Sequence, residues 1–291
     1  MKRAWLIYGL AFIGGLVVSL VILSFFLSFL LIFKEKGWGK AKIGVLEIRG
    51  IILDSQDYLL CIREFSERRD IKGVVVRIES PGGSVGAAQE ILEELKNLKK
   101  VKPVVVSMGN IAASGGLYIA LGGNKILASP GTITGSIGVI IEIPNIEKLL
   151  KKVGIESETI KSGPYKDTGS IYRPLTSEEK KYLQEKVNRV YEQFVKAISE
   201  ERKIPIEKVK EFADGRFLTG EEAVALGLID GLGNFWTAVE MVRSMANLKE
   251  ATLIFLPKKK NILERFLEEK ASIWYEFLIF KPFYLPIKNY E

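Results

Sequence analysis

The pattern of apolar and polar positions first separates a long N-terminal apolar run from the rest of the chain. The run extends from Ala4 to Phe33, which is longer than the roughly 20 residues a helix needs to cross the hydrocarbon core. A cleaved signal peptide has an apolar core of only about 7–15 residues, followed by small residues, whereas this run ends in large apolar residues. We therefore predict that residues 1–42 form a retained transmembrane anchor and a linker. Because lysines lie on both sides of the apolar run, the orientation of the anchor in the membrane is left open.

From Ile43 onward, short runs rich in β-branched residues alternate with stretches of helical spacing. Such runs are typical of buried strands, and strands that alternate with crossover helices predict an α/β fold with a mainly parallel sheet. Strands are expected at 42–52, 73–80, 103–109, 125–129, 138–143 and 158–163. Helices are expected at 55–69, 84–100, 112–122, 145–153, 176–203, 205–215, 219–230 (the last ending in a short strand) and 234–247. These elements predict one domain, residues 43–250.

The tail, residues 251–291, has a different pattern. A basic cluster at Lys258–Lys260 precedes many aromatic and leucine residues, among them Trp274 and Tyr275. Such a segment can lie on a membrane surface or dock on a neighbouring subunit. Packing against the body of its own chain is an equally open alternative.

Composition narrows the chemistry more than it narrows the fold. The formal charge of +7 comes from lysines dispersed among glutamates, which is typical of solvated helix faces, so we predict no nucleic-acid partner. The chain has no histidine, which excludes Ser-His-Asp and Cys-His catalysis and histidine-ligated metals. The single cysteine, Cys61, lies in an apolar run and is expected in the core. We predict neither a metal nor another cofactor.

Ser114 is the candidate nucleophile. It stands in Ala-Ala-Ser-Gly-Gly, where a predicted strand gives way to a predicted helix. A serine at such a junction can expose its hydroxyl beside free backbone N–H groups. Taken by itself, this string favours close helix packing by small residues over a nucleophile.

Two further segments supply what a serine nucleophile needs. Ser80-Pro81-Gly82-Gly83-Ser84 lies between a strand and a helix; its glycines can present N–H groups to an oxyanion, although Pro-Gly-Gly is also an ordinary turn. Lys166 follows a predicted strand, in Gly-Pro-Tyr-Lys-Asp. A lysine acts as a general base only where its surroundings favour the neutral amine, and without histidine a Ser-Lys pair is the simplest nucleophile and base.

Taken together, these segments resemble the signal peptide peptidase A family of membrane-bound serine–lysine proteases, in its single-length form. The strings that carry the resemblance are SPGGSV (80–85), MGNIAASGGLYIA (108–120), TGSIGV (134–139), IKSGPYKD (160–167) and ADGRFLTGEEAVALGLID (213–230). The family often has an aromatic residue where this chain has Leu117, so the shape of the pocket is left open. The tail lies outside the resemblance.

The resemblance implies roles for five residues. Ser114 would be the nucleophile and Lys166 the general base. Gly83 would donate to the oxyanion, with the Gly115 N–H as its partner, and Ser136 would hydrogen-bond the lysine.

The resemblance also implies a crotonase/Clp-protease fold, a ring-like homo-oligomer with its sites facing an interior chamber, and a catalytic domain outside the cytoplasm on a single-pass anchor in the cell membrane. The expected substrates are remnant signal peptides. We expect residues 107–111 and 137–141 to line an apolar groove for them.

Three alternatives remain open at this stage. A related stomatin-operon protease would keep the chemistry and cut the hydrophobic segment of a membrane partner. A crotonase-like protein that binds acyl-CoA would use the oxyanion glycines without Ser114 or Lys166. A catalytically inactive membrane scaffold would need none of these groups.

Overall fold

The computed structural model describes residues 14–28 and 41–257. Residues 14–28 form a helix, α1, whose side chains are exposed. Among the described residues, no helix combines the length and the apolar character needed to cross a membrane. The predicted anchor extends past α1 at both ends, so much of it, including residues 1–13 and 29–33, lies outside the described residues.

The remaining elements follow the predicted alternation. The strands are β1 (Lys42–Arg49), β2 (Ile71–Ser80), β3 (Val104–Ala112), β4 (Lys125–Ala128), β5 (Ile133–Gly135), β6 (Phe217–Thr219), β7 (Gly231–Leu232) and β8 (Thr252–Leu256). The helices after α1 are α2 (Gln56–Glu67), α3 (Val85–Leu98), α4 (Gly115–Ala120), α5 (Glu147–Lys152), α6 (Ser177–Arg202), α7 (Ile206–Phe212), α8 (Gly220–Ala225) and α9 (Phe235–Met245).

One sheet joins the described strands in the order β6-β5-β3-β2-β1-β8, with β4 paired to β3 and β7 to β4. Every pairing is parallel except that of β5 with β6. The predicted α/β class with a mainly parallel sheet and crossover helices is therefore confirmed. Because the central strands are covered on both faces, they appear in the sequence as continuous apolar runs rather than alternating ones.

The larger core lies on one face of the sheet. There, α2, α3 and α4 cover side chains such as Val76 and Val106, and α6 adds Phe194 and Ile198 to the same cluster. On the other face, α9 packs over Ile43, Val75 and Val105 in a smaller cluster, which includes Ala238 and Val242. The catalytic motifs named above lie on the α3–α4–α6 side.

The strands predicted at 138–143 and 158–163 are wrong, since both segments are irregular. After β5 the chain turns, because Gly135 (φ 74°) and Ser136 (φ 49°) both adopt the left-handed backbone conformation. The Ser136 N–H then donates to the Arg216 carbonyl at 2.7 Å. This turn takes the next apolar residues out of the sheet, and the side chain of Ile140 is 81% exposed.

The beginning of the predicted tail belongs to the sheet. Residues 252–256 form β8, which pairs in parallel with β1 from Lys42 to Leu46. Its Leu256 is buried in the larger core. Residues 258–291, including the basic cluster and the aromatic residues, lie outside the described residues.

Candidate active site

The two glycine-containing motifs leave neighbouring strands at the same edge of the sheet. Strands β2 and β3 run parallel, and Ser80 at the end of β2 is paired with Ala112 at the end of β3. The Ala113 N–H donates to the Ser80 carbonyl at 3.1 Å. Pro81-Gly82-Gly83 and Ser114-Gly115 therefore emerge side by side at the carboxyl ends of the strands, where α/β proteins bind their ligands.

Ser114 occupies a strained turn between β3 and α4. Its φ is 51° and its ψ is −118°, a combination that non-glycine residues rarely adopt and that is concentrated at functional sites. Its N–H donates to the Gly135 carbonyl at 2.9 Å, and its carbonyl accepts from the Tyr118 N–H at 2.9 Å. The backbone of the predicted nucleophile is thus held from both sides, with the side chain half-buried at a cavity.

Gly82 and Gly83 allow the loop after β2 to lie directly against Ser114. A Cβ on Gly82 would come within 2.8 Å of the Gly115 nitrogen and 2.9 Å of the Ser114 Cβ. A Cβ on Gly83 would collide with the backbone of Ile52. Both glycines also have positive φ, 112° and 153°, so the close approach and the backbone conformation each require glycine.

Two backbone N–H groups are available beside Ser114. A Cβ on Gly115 would lie 3.3 Å from the Gly83 nitrogen, which places the two amides next to one another. Neither of these N–H groups donates a hydrogen bond to another residue that the structure describes. A pair of unbonded amides beside a serine suits an oxyanion hole, the role that the resemblance implies for Gly83 and Gly115.

Ser136 also reaches the site. It borders a larger cavity together with Ser114, Gly83 and Gly138. The residue before Ser136 is Gly135, whose carbonyl accepts the hydrogen bond from the Ser114 N–H. Four of the five predicted site residues therefore surround one edge of the sheet.

A smaller cavity opens beside Ser114 and is bordered by three helices. Its lining residues are Gly83, Val85, Ala88, Gln89, Ser114, Gly115, Tyr118, Gly138, Val139, Val190 and Phe194. The sequence reasoning missed Gln89, Tyr118 and the contribution of α6. The apolar stripe of α6 predicts that this helix packs on the body of the protein, but the stripe does not indicate what lies beneath it.

The predicted apolar groove is partly wrong. Ser107 is fully buried and accepts a hydrogen bond from Arg77 at 3.0 Å, and residues 107–111 border neither cavity at Ser114. Residues 137–140 do line the larger cavity. Leu117 points into the core and is fully buried, so the next residue, Tyr118, shapes the pocket instead.

Lys166 is not among the residues that border the two cavities at Ser114 in the described part of the chain. It is exposed, in the irregular segment that follows α5, and its N–H donates to the Gly163 carbonyl at 3.2 Å. Those cavities therefore bring together the predicted nucleophile and the predicted oxyanion amides without the predicted base.

The segment that carries Lys166 is fastened to the beginning of α6 by charges. The Arg173 guanidinium bonds Asp167 at 2.8 Å and the nearly buried Glu179 at 2.6 Å, and Lys161 bonds Asp167 at 2.6 Å. Hydrogen bonds from Arg173, then from Lys161, hold the pKa of Asp167 well below its usual range. Arg173 is also the main reason that the pKa of Glu179 falls to about 2. The segment therefore has a defined position.

Comparison with known proteins agrees with this geometry. The profile of Peptidase family S49 matches residues 96–249, more than half of the chain, and the Clp protease profile matches residues 57–132. The fold thus has the expected Clp-protease character.

Three curated proteins illustrate the similarity. A putative protease of Synechocystis sp. is 46% identical over 210 residues, covering 72% of this chain and 76% of that protein. The putative signal peptide peptidase SppA of Enterococcus faecium is 37% identical, over 76% of this chain and 68% of that protein. A putative protease of Methanocaldococcus jannaschii is 36% identical, over 69% and 65%. The predicted resemblance is confirmed: the chain belongs to peptidase family S49, a family of serine proteases.

Proposed function

We propose that this protein is a membrane-anchored serine endopeptidase that degrades remnant signal peptides, with Ser114 as nucleophile and Lys166 as general base. One observation carries the proposal. The unbonded amides of Gly83 and Gly115 flank the strained Ser114 at the mouth of a mainly apolar cavity. That arrangement suits attack on a peptide carbonyl and stabilisation of the resulting oxyanion.

In the first half of the reaction, the Ser114 Oγ attacks the carbonyl carbon, and its proton passes to the neutral Lys166 amine. The carbonyl oxygen becomes an oxyanion and accepts hydrogen bonds from the Gly83 and Gly115 N–H groups. The C–N bond then breaks. Protonated Lys166 gives its proton to the leaving amine, and the acyl group remains as an ester on Ser114.

In the second half, a water molecule replaces the leaving amine. Lys166 takes a proton from the water as it attacks the ester, and the same two amides hold the second oxyanion. The ester bond breaks, Ser114 recovers a proton from Lys166, and the carboxylic acid leaves. Ser136, which borders the same cavity as Ser114, orients the lysine by a hydrogen bond.

The position of Lys166 supports a site that is completed by a second copy of the chain. The ion pairs of Arg173 with Asp167 and Glu179 hold its segment on α6, which opposes a large movement toward Ser114. Nearby apolar side chains are open to contact, since Ile140 is 81% exposed and Ile160 is 96% exposed. In a ring-like homo-oligomer such contacts would bring the partner subunit's Lys166 to Ser114. A lysine loses its proton more readily where protein excludes water.

The proposed substrate is inferred from the apolar residues of the cavity, and the proposed location from the apolar run at the N-terminus. Val85, Val139, Val190 and Phe194 make a cavity wall suited to apolar peptide side chains. The relative from Enterococcus faecium is named a signal peptide peptidase. In our proposal, the apolar run before residue 34 keeps the enzyme in the cell membrane, with its catalytic domain outside the cytoplasm, close to peptides released there.

Labelling with a fluorophosphonate, combined with a cleavage assay, tests this function in the detergent-solubilised full chain. We expect the unchanged enzyme to bind the reagent at Ser114 and to cleave a synthetic peptide with an apolar signal-peptide core. Ser114→Ala should lose both activities and keep the melting temperature. Ser244→Ala, an exposed serine on α9, is the matched control and should keep both.

Cleavage that persists in Ser114→Ala would overturn the assignment of the nucleophile. An unchanged enzyme that neither reacts nor cleaves, but binds acyl-CoA, would favour the crotonase-like alternative. Absence of all three activities would favour an inactive scaffold.

A further inference from the structure

We infer that Tyr118 and Gln89 form a floor to the cavity beside Ser114, and that this floor restricts the residue on the acyl side of the cut to apolar side chains of moderate length. The inference rests on the proposed function, since it concerns how that site selects its peptide. It assigns a specificity role to two residues outside the catalytic group.

Gly83 and Ser114 border the cavity together with Gln89 on α3 and Tyr118 on α4. Tyr118 follows Ser114 by four residues, which corresponds to about 6 Å along a helix axis. A leucine or methionine side chain, entering from a carbonyl held at the two amides, has a comparable length.

Contacts on three sides hold the floor in place. The Tyr118 ring meets the Phe194 ring edge-on, with centroids 5.0 Å apart and planes at 73°. The Gln89 side chain borders the same cavity as Tyr118, and its Nε2 donates to the Oε1 of Gln193 at 2.9 Å. Residues from α3, α4 and α6 therefore close the cavity as one layer.

A second, larger space lies directly behind this layer. It is a groove between α3 and α6, and Gln89 and Tyr118 border it as well as the smaller cavity. Its other lining residues are Glu90, Leu92, Glu93, Lys96, Gln193, Lys196, Ala197, Glu200 and Glu201. Four glutamates and two lysines line the groove, and three of the glutamates pair with lysines (Glu93 and Glu201 with Lys96, and Glu200 with Lys196). The lining keeps a small excess of negative charge, in contrast to the apolar cavity at Ser114.

Because the cavity is apolar and the groove is charged, the floor between them affects which peptide side chains the site accepts. With Tyr118 in place, a long cationic side chain would leave its charge in an apolar pocket, which is unfavourable. Without the ring, the pocket would open into the acidic groove, where the charge of a lysine side chain is stabilised. The floor thus excludes peptides that the groove would otherwise accept.

Peptides that differ only in the residue before the cut test the inference in the detergent-solubilised full chain. The unchanged enzyme should cleave after Leu in preference to Lys. Tyr118→Ala should lower the Leu-to-Lys ratio of kcat/KM by at least about tenfold, mainly through a lower KM for the Lys peptide. Tyr118→Phe keeps the ring and should keep the original ratio. Tyr58→Ala, a tyrosine of α2 packed on the core, is the control for removing an aromatic ring.

A second variant guards against misfolding of Tyr118→Ala. Val85 is 41% exposed at the cavity, so Val85→Phe can fill the pocket without disturbing the core and should move the preference from Leu to Ala. The inference is overturned if both folded variants still react with the serine reagent but keep the original ratios. Failure of the unchanged enzyme to cleave any peptide through Ser114 would instead overturn the proposed function.

Discussion

The junction that carries Ser114 and the segment that carries Lys166 are built in opposite ways. Ser114 leaves a buried central strand and is fixed by backbone hydrogen bonds to Gly135 and Tyr118. Lys166 lies in an irregular, exposed segment that side-chain ion pairs fasten to α6. Backbone contacts inside the sheet fix Ser114 relative to the core, whereas the ion pairs fix the Lys166 segment relative to the surface of α6.

This contrast suggests that the two regions supply different parts of the proposed catalytic site. In the proposed mechanism, the groups that must be placed most accurately, the nucleophile and the oxyanion amides, come from adjacent strand ends within one copy. The proposed base, Lys166, comes from a segment on the surface, where apolar residues such as Ile160 are exposed. Assembly would then control activity, because an isolated chain would hold only part of the machinery.

The largest loss of activity is expected for substitutions of Lys166, in the surface segment. Lys166→Ala should lower kcat/KM by at least about a thousandfold, and Lys166→Arg should not restore it, because arginine does not release its proton. Peptide cleavage and fluorophosphonate labelling measure the loss. Lys148→Ala on the neighbouring α5 removes an exposed lysine and should leave activity unchanged.

Co-expression of Ser114→Ala chains with Lys166→Ala chains then shows where the base comes from. A site shared between two copies should regain activity in the mixture, since some contacts pair an intact serine with an intact lysine. A mixture as inactive as its parents would place the dyad within one chain, and full activity in Lys166→Ala alone would remove Lys166 from the mechanism.

A smaller loss of activity is expected for a substitution beside Ser114, in the region held by the sheet. Gly83→Ala adds a methyl group against the Ile52 backbone and displaces one oxyanion donor, so kcat should fall by roughly 10²- to 10³-fold. Gly86→Ala is the matched control, because a Cβ there meets nothing within 4 Å. Placed in α3, Gly86→Ala should raise the free energy of unfolding by roughly 0.5–1 kcal/mol.

Circular dichroism and steady-state kinetics separate the two glycine variants. A Gly83→Ala enzyme that is folded and as active as the unchanged enzyme would refute the oxyanion role of this amide.

The smallest expected effect concerns the attachment of the Lys166 segment. Arg173→Ala leaves the nearly buried Glu179 carboxylate without its main partner, which should lower the free energy of unfolding at pH 7 by roughly 3 kcal/mol. Because the folded pKa of Glu179 is about 2, against an ordinary 4.5, the stabilising effect of the pair is complete above about pH 4.5 and lost as the pH falls toward 2.

Denaturant unfolding between pH 7 and pH 2 checks this sign. The difference in the free energy of unfolding between Arg173→Ala and the unchanged protein should shrink as the carboxylates become protonated. Arg63→Ala, which breaks an exposed pair with Glu67, should change the free energy of unfolding by less than about 1 kcal/mol at every pH. A constant difference for Arg173→Ala would contradict the proposed attachment.

Sequence patterns were sufficient where a local rule determined the structure. The apolar runs at 73–80 and 103–109 predicted neighbouring buried strands, and the glycines after them predicted turns with open amides. The strand predicted at 138–143 was wrong because β-branched residues form strands only where a partner strand is available, and Ser136 turns the chain away from the sheet. Strand β8 was assigned to the tail because the apolar pattern of its residues does not indicate which strand they pair with.

By itself, the amino-acid sequence determined the α/β class, the absence of histidine on which the proposal of a lysine base rests, and the residues that would flank Ser114. These features depend on residue type and on spacing of a few residues. Tertiary structure alone decided that α6 closes the pocket with Phe194, that Tyr118 separates it from an acidic groove, and that Lys166 lies outside it. Such contacts join segments far apart in the chain, so they depend on how whole helices pack rather than on any local pattern.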